Sequence, residues 1–333
     1  MAGRWSLPLL VALLMGAGTT ESSAQELRRG SLILESVDAA KTGSNAPEVT
    51  VTEPPDALRE QFALSPFYKK CLVTEGFPIV SSEKPSNFAL LEAAYIVNKM
   101  LSDRGDIRQA LVKNKVRLAI MATKEFTCDL PEYSDLRPTA LWNVQARGYG
   151  PVPGRPVVVC SEENLLALRG DPYGIESTLV HELGHAIHTM GLPIVDPDFA
   201  VRITATFDAA KAEGLWKETY ALTNEHEYWA EGVQCWFDTN GYSDRLHNII
   251  NTRDRLIRYD PRLAGLLEET FPNNQWKYLK PDDRKKIDHL KGFNPLMAQK
   301  FEWPAGMVED FQRYQAKQKQ RGEFPQSADY FPR

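Results

Sequence analysis

The sequence predicts an α+β fold: a small sheet packed on a helix that carries His181-Glu-Leu-Gly-His185, then a mainly helical subdomain, with a cleft between the two. Three observations predict it. Short β-rich runs bounded by turn residues occur at 77–81, 116–122 and 156–160, all before position 161. Helix-start pairs of the Asp-Pro type recur later, at Asp171-Pro172, Asp196-Pro197 and Asp260-Pro261. The two histidines sit four apart between such a start and the stop at Met190-Gly191 and Pro193, so they share one helix face.

In chain order, Arg4 supplies a positive charge and residues 7–18 form an apolar run too short to span a membrane. Ser22-Ser-Ala24 is a small-residue cleavage site, so residues 1–24 read as a secretory signal peptide cut before Gln25. The expected location is secreted and extracellular. Residues 25–62 are polar, with Pro47, Pro54 and Pro55, and read as a flexible leader or short propeptide. One domain then spans 63–325. After the strand at 77–81 come an apolar-rich helix at 88–101 and a short one at 107–113. A Gly/Pro loop at 146–155 precedes the last strand and is expected either to line the cleft or to be an ordinary surface loop. Beyond the 171–190 helix, one helix runs from Asp196-Pro197 to Gly214 and another from Asp260-Pro261 to Glu269; 312–321 is a solvated helix or tail.

The H-E-x-x-H helix carries the chemistry. With 3.6 residues per turn, His181 and His185 project about 40° apart. One nitrogen from each can reach a single ion, with Glu182 to the side, where it can hold a water. Leu179, Leu183, Ala186, Ile187 and Met190 form an apolar stripe that leaves the histidine face to the cleft. A catalytic zinc site needs a third protein ligand and a water in the fourth position. Position 191 is Gly, so the ligand is not a third histidine six residues on; His188 reads as an outer or surface residue.

The third ligand is expected downstream. Asn224 and Glu227 form an N-x-x-E cap, Trp229, Val233, Trp236 and Phe237 form a core face, and Gly241 offers a stop. Glu227 and Glu231 are four apart. Like charges at that spacing repel, so a shared cation is a physical reason to keep both. Glu227 is the expected ligand, with Glu231 behind it orienting a ligand histidine; Glu225 and Glu231 are the rival ligands.

An H-E-x-x-H followed on a later helix by E-x-x-x-(D/E) resembles the glutamate-ligand zinc peptidases, the gluzincins. Glu227-Tyr-Trp-Ala-Glu231, with Tyr220 seven residues before it, is similar to the pattern of the anthrax lethal-factor-type catalytic domain. The resemblance implies a zincin-like fold, Glu227 as zinc ligand, Glu231 in the outer shell and Tyr220 as an oxyanion stabiliser, with His226 able to take that role if the loop turns differently. Residues 76–84 and 230–238 also resemble segments of a family of secreted proteins, over roughly 66–284. The implied function is a zinc metallopeptidase with one Zn²⁺ per chain. Zinc lowers the pKa of its water towards about 7, Glu182 takes the proton and later gives it to the leaving amine, and Tyr220 stabilises the oxyanion.

Of 333 residues, 43% are hydrophobic and 25% charged, enough for a sizeable core. A net charge of -5 without a dense basic run excludes a nucleic-acid footprint and disfavours an anionic membrane. The expected partner is a peptide or protein substrate. Other classes are a zinc hydrolase of a non-protein amide such as cell-wall peptide, and a catalytically inactive zinc-binding protein; the presence of Glu182 disfavours the latter. Four cysteines, even in number, fit disulfides in an oxidising compartment, with pairs Cys71–Cys128 and Cys160–Cys235 expected.

Overall fold

The chain enters its sheet through a hairpin. β1 (Lys70–Thr74) turns at Glu75-Gly76, both at positive φ, into the antiparallel β2 (Phe77–Ser81). β3 (Arg117–Met121) adds parallel to β2, and β4 (Val157–Ser161) parallel to β3, for the order β1-β2-β3-β4. The structure is a computed structural model and describes residues 50–285 and 288–321. The expected signal peptide and the leader up to residue 49 lie outside the described residues.

Alternation along the strands sends side chains to two cores. Ile79, Leu118, Ile120, Val158 and Cys160 face a helical layer. Cys71, Val80, Ala119, Met121, Val157 and Val159 face α1 (Asp56–Phe62) and the segment around Leu130 and Tyr133. These three strands are buried at every position and mostly apolar, which is why the sequence shows short apolar runs at 77–81, 116–122 and 156–160. β1 alternates only weakly and was not expected.

The helical layer begins with α2 (Asn87–Met100), capped by Ser86, and α3 (Gly105–Lys113). α4 (Thr139–Gln145) precedes β4, which runs directly into α5 (Glu162–Leu165) and then α6 (Thr178–Ala186), the H-E-x-x-H helix. α7 (Leu192–Val195), α8 (Phe199–Ala212), α9 (Glu225–Trp236), α10 (Arg253–Tyr259), α11 (Pro261–Thr270) and α12 (Ala305–Gln320) follow. The fold is therefore mixed α+β, a small sheet with many helices. Leu179, Leu183, Ala186 and Ile187 are fully buried. At about 1.5–3 kcal/mol for each fully buried large aliphatic side chain, this stripe fixes the rotation of α6.

Three expectations are corrected. The H-E-x-x-H helix starts at Thr178, capped by Ser177, not at Asp171-Pro172. Gly174 at φ 58° breaks the helical path between them, and Asp171 instead accepts from Tyr173 N and Asn164 and pairs with Lys280 at 2.8 Å. Nor does Gly191 end it: a π-helical turn (Ile187–Gly191) leads into α7. Second, packing begins before Ala63. Thr52 pairs with Cys71, and Leu58 and Phe62 of α1 are buried, so residues 50–62 belong to the folded unit. Third, all four cysteines are free thiols. Cys71 and Cys160 lie on opposite faces of the sheet. The Cys235 Sγ–H donates to the Ile250 carbonyl at 3.2 Å and its sulfur accepts from Asn240. Cys128 Sγ lies 3.9 Å from the Leu136 carbonyl.

Candidate metal centre

α6 and α9 pack against each other, and their close approach converges the site. Trp229 of α9 donates its indole N–H to the Gly184 carbonyl at 3.0 Å, in the middle of the H-E-x-x-H run. A side chain at Gly184 would press on Val233 at 3.3 Å, so a glycine here lets the helices approach. Asn224 caps α9, accepting from His226 N at 2.9 Å and Glu227 N at 3.0 Å. That cap places Glu227 in the first turn, facing α6.

Three donor atoms meet in a small triangle. His181 Nε2 lies 3.1 Å from His185 Nε2 and 3.1 Å from Glu227 Oε2, and His185 Nε2 lies 3.3 Å from Glu227 Oε2. Donors about 2.0–2.1 Å from one tetrahedral zinc ion are about 3.3–3.4 Å apart, so the triangle is close to the size of one tetrahedral face. The protonation pattern agrees. His181 Nδ1 faces the Gln234 carbonyl oxygen at 2.8 Å and Glu231 Oε1 at 3.5 Å, both acceptors. Gln234 is oriented by its own amide nitrogen, which donates to the Ser177 and Thr239 carbonyls at 3.3 and 3.5 Å. With one proton kept on Nδ1 by these acceptors, His181 can give up the proton on Nε2 and turn that lone pair to a cation in the triangle. These residues fit a divalent cation. His181, Glu182 and His185 also form a group whose ligand atoms lie within 4.8 Å of one another.

The electrostatics are those of a cation site. Burial opposes charge on His181, but the hydrogen bond to Glu227 and the carboxylates of Glu182, Glu227 and Glu231 raise its pKa to about 10. Burial likewise works against Glu227, and the two histidines overcome it, holding its carboxyl well below the ordinary range. At Glu182 burial wins over the histidines and raises the pKa. The side chains of His181, His185 and Glu227 are 12–13% exposed, so the triangle is open to solvent on one side.

The Gly/Pro loop lies directly on this site. Tyr149 pairs with Val159, extending the sheet beyond β4. By alternation Arg147 and Tyr149 face away while Gly148 and Gly150 face α6. A Cβ at Gly148 would lie 2.9 Å from Glu182 Oε1, and one at Gly150 2.7 Å from His185 Cβ, so only glycine permits this contact. Arg147 anchors the loop. Its buried guanidinium binds Glu163 through two nitrogens, at 2.6 and 3.1 Å, donates to the Ala122 and Glu125 carbonyls, and stacks on Phe301 at 4.7 Å. Glu163→Ala leaves that charge buried without its counter-ion; an equilibrium unfolding titration should show a loss of about 3–5 kcal/mol, and a loss under about 1 kcal/mol would rule out the anchoring role.

Tyr220 also lies at the site, on a 3-10 turn (Tyr220–Leu222), its ring 6.2 Å from that of His181 at 28°. His226 turns instead to the buried His188, Nδ1 to Nδ1 3.2 Å, and Glu225 lies 3.9 Å from His226 Nε2. Of the rival ligands, Glu231 sits behind His181 and Glu225 beside His226. Burial, then His226 and His185, push His188 down to about 3, so it is neutral and internal. Sequence reasoning missed Gln234. It lies at i+7 from Glu227 and i+3 from Glu231 on the same face, and that spacing could have found it. It also missed Asn240 and His247, which hold Glu231 from a separate loop at 3.0 and 3.4 Å.

Compared with known proteins, the chain matches no family model and no curated protein. Among solved structures it is similar to the Pro-Pro endopeptidase from Paenibacillus alvei, at 16% identity and a TM-score of 0.42, over 58% of this chain and 97% of that one. Among the described residues, no helix is long and apolar enough to cross a membrane.

Proposed function

We propose that this protein is a secreted, zincin-like zinc metallopeptidase that hydrolyses peptide bonds, with His181, His185 and Glu227 as ligands of one zinc ion. The observation that carries the reading is the triangle of three converging ligand atoms with the raised-pKa carboxyl of Glu182 beside it. Zinc held there supplies Lewis acidity to a water and to the scissile carbonyl. Glu182 takes the proton of the attacking water and passes it to the leaving amine. The Tyr220 hydroxyl donates to the carbonyl oxygen as negative charge develops. Gln234 and Glu231 hold His181 in the tautomer that points Nε2 inward. The secreted location rests on residues 1–24, outside the described residues.

The test is a peptide-library cleavage assay on zinc-loaded protein, with and without chelator. Cleavage that disappears on chelation and returns with zinc is expected. A zinc-loaded, folded protein that cuts no peptide overturns the peptidase reading.

The ligand assignment has its own test. Glu227→Ala is expected to be nearly metal-free. Glu231→Ala, removing a group 3.5 Å behind His181, should still bind zinc about 10–100-fold more weakly. If zinc titration ranks the two the other way, Glu231 is the ligand and Tyr220 loses its role.

A further inference from the structure

Glu231 is a buried carboxylate held from three directions. His181 Nδ1 lies 3.5 Å from Oε1, while Asn240 Nδ2 at 3.0 Å and His247 Nε2 at 3.4 Å hold Oε2. Asn240 and His247 come from the loop after α9. His247 is 7% exposed, and its ring is cradled by Gly241, where a Cβ would lie 2.2 Å from Nδ1. Its Nδ1 lies 2.9 Å from both carboxylate oxygens of Asp244. Asp244 in turn accepts from the backbone N–H groups of Leu246 and His247, at 2.7 and 2.9 Å, which closes the turn on itself. The Leu246 carbonyl then accepts from Tyr220 N at 2.8 Å. One short turn thus grips Glu231 behind His181 and the backbone of Tyr220, whose ring lies 6.2 Å from that of the same histidine.

Glu176, Asp244 and His247 lie close enough together to suggest a second cation site. Their arrangement argues against it. Asp244 sits on Nδ1, whereas Glu176 lies on the Nε2 side at 3.8 Å. An imidazole offers a metal one lone pair, and carboxylates on opposite sides of the ring cannot share an ion bound there. The ring bridges carboxylates instead.

We propose that His247 is a positioning residue for the metal centre: held by Asp244 and Gly241, it fixes Glu231 and through it the orientation of His181. The inference rests on the zinc reading above. In the full-length chain, His247→Gln is expected to stay folded and to bind zinc about 10–100-fold more weakly by competition titration. Its cobalt-substituted form should show a shifted visible absorption band, which a loss of stability alone does not produce. The decisive comparison is a double-mutant cycle with Glu231→Gln. If His247 acts through Glu231, adding His247→Gln to that background costs less than about two-fold more. Full zinc affinity in His247→Gln, or losses that multiply independently, overturns the proposal. Should His247→Gln fail to fold, Asp244→Ala, at a half-exposed side chain, releases the ring from its other end. It is then expected to weaken zinc several-fold with the same non-additivity, and unchanged affinity counts against the proposal. Failure of the underlying reading looks different: the unmutated chain would not bind one zinc, or His181→Ala would bind it normally.

Discussion

Glu182→Gln is expected to keep its fold and one zinc per chain while peptide hydrolysis falls on the order of 10²–10⁴-fold or more. The amide keeps the size of the carboxyl and its contact beneath Gly148, so the loop should stay in place. What it loses is basicity. Burial raises the Glu182 pKa against the pull of His181 and His185, which suits the proton transfer proposed for it. An amide cannot take a proton from water at neutral pH, so the attacking group is not generated. Single-turnover cleavage and metal content on the same preparation separate chemistry from binding. Turnover equal to that of the unmutated chain would exclude Glu182 as the base.

His185→Ala is expected to abolish stoichiometric zinc binding, and His181→Ala to do the same. Each removes one corner of a triangle whose sides are 3.1–3.3 Å, leaving two protein donors. Structural and catalytic zinc sites use three or four protein ligands. The stability cost should be small at His185, which is partly exposed and lies outside the apolar stripe of α6. Metal analysis after dialysis, with circular dichroism as a fold control, reads both. If His185→Ala carries a full equivalent of zinc, the metal sits elsewhere and the proposed site falls.

Only part of this architecture can be read locally. The histidine face of α6, the Asn224 cap, the Glu227/Glu231 stripe and three of the strands follow from periodicity and capping, which act over a few residues. Local signals also misled. Asp171-Pro172 has the form of a helix start, yet Gly174 at positive φ and the pairing of Asp171 with Lys280 make it a turn. The even cysteine count suggested bridges Cys71–Cys128 and Cys160–Cys235, but pairing depends on distances between elements, and the fold leaves all four thiols free, with Cys128 beside the Leu136 carbonyl and Cys235 on Ile250 and Asn240.

The sequence by itself determined that two imidazoles share a helix face with a carboxylate between them, and that a second helix carries two glutamates on one stripe. Covalent spacing and the helical repeat impose both, whatever surrounds them. Tertiary structure alone decided that Glu227 Oε2 meets the two Nε2 atoms, that Glu231 stands behind His181, and that Gly148 and Gly150 lie against α6. It also brought His247 to Glu231. These contacts join residues far apart in the chain, and packing of α6 against α9 and the Arg147 anchor set their distances. A shift of one helix by a fraction of a turn would leave every local pattern intact and take the triangle apart.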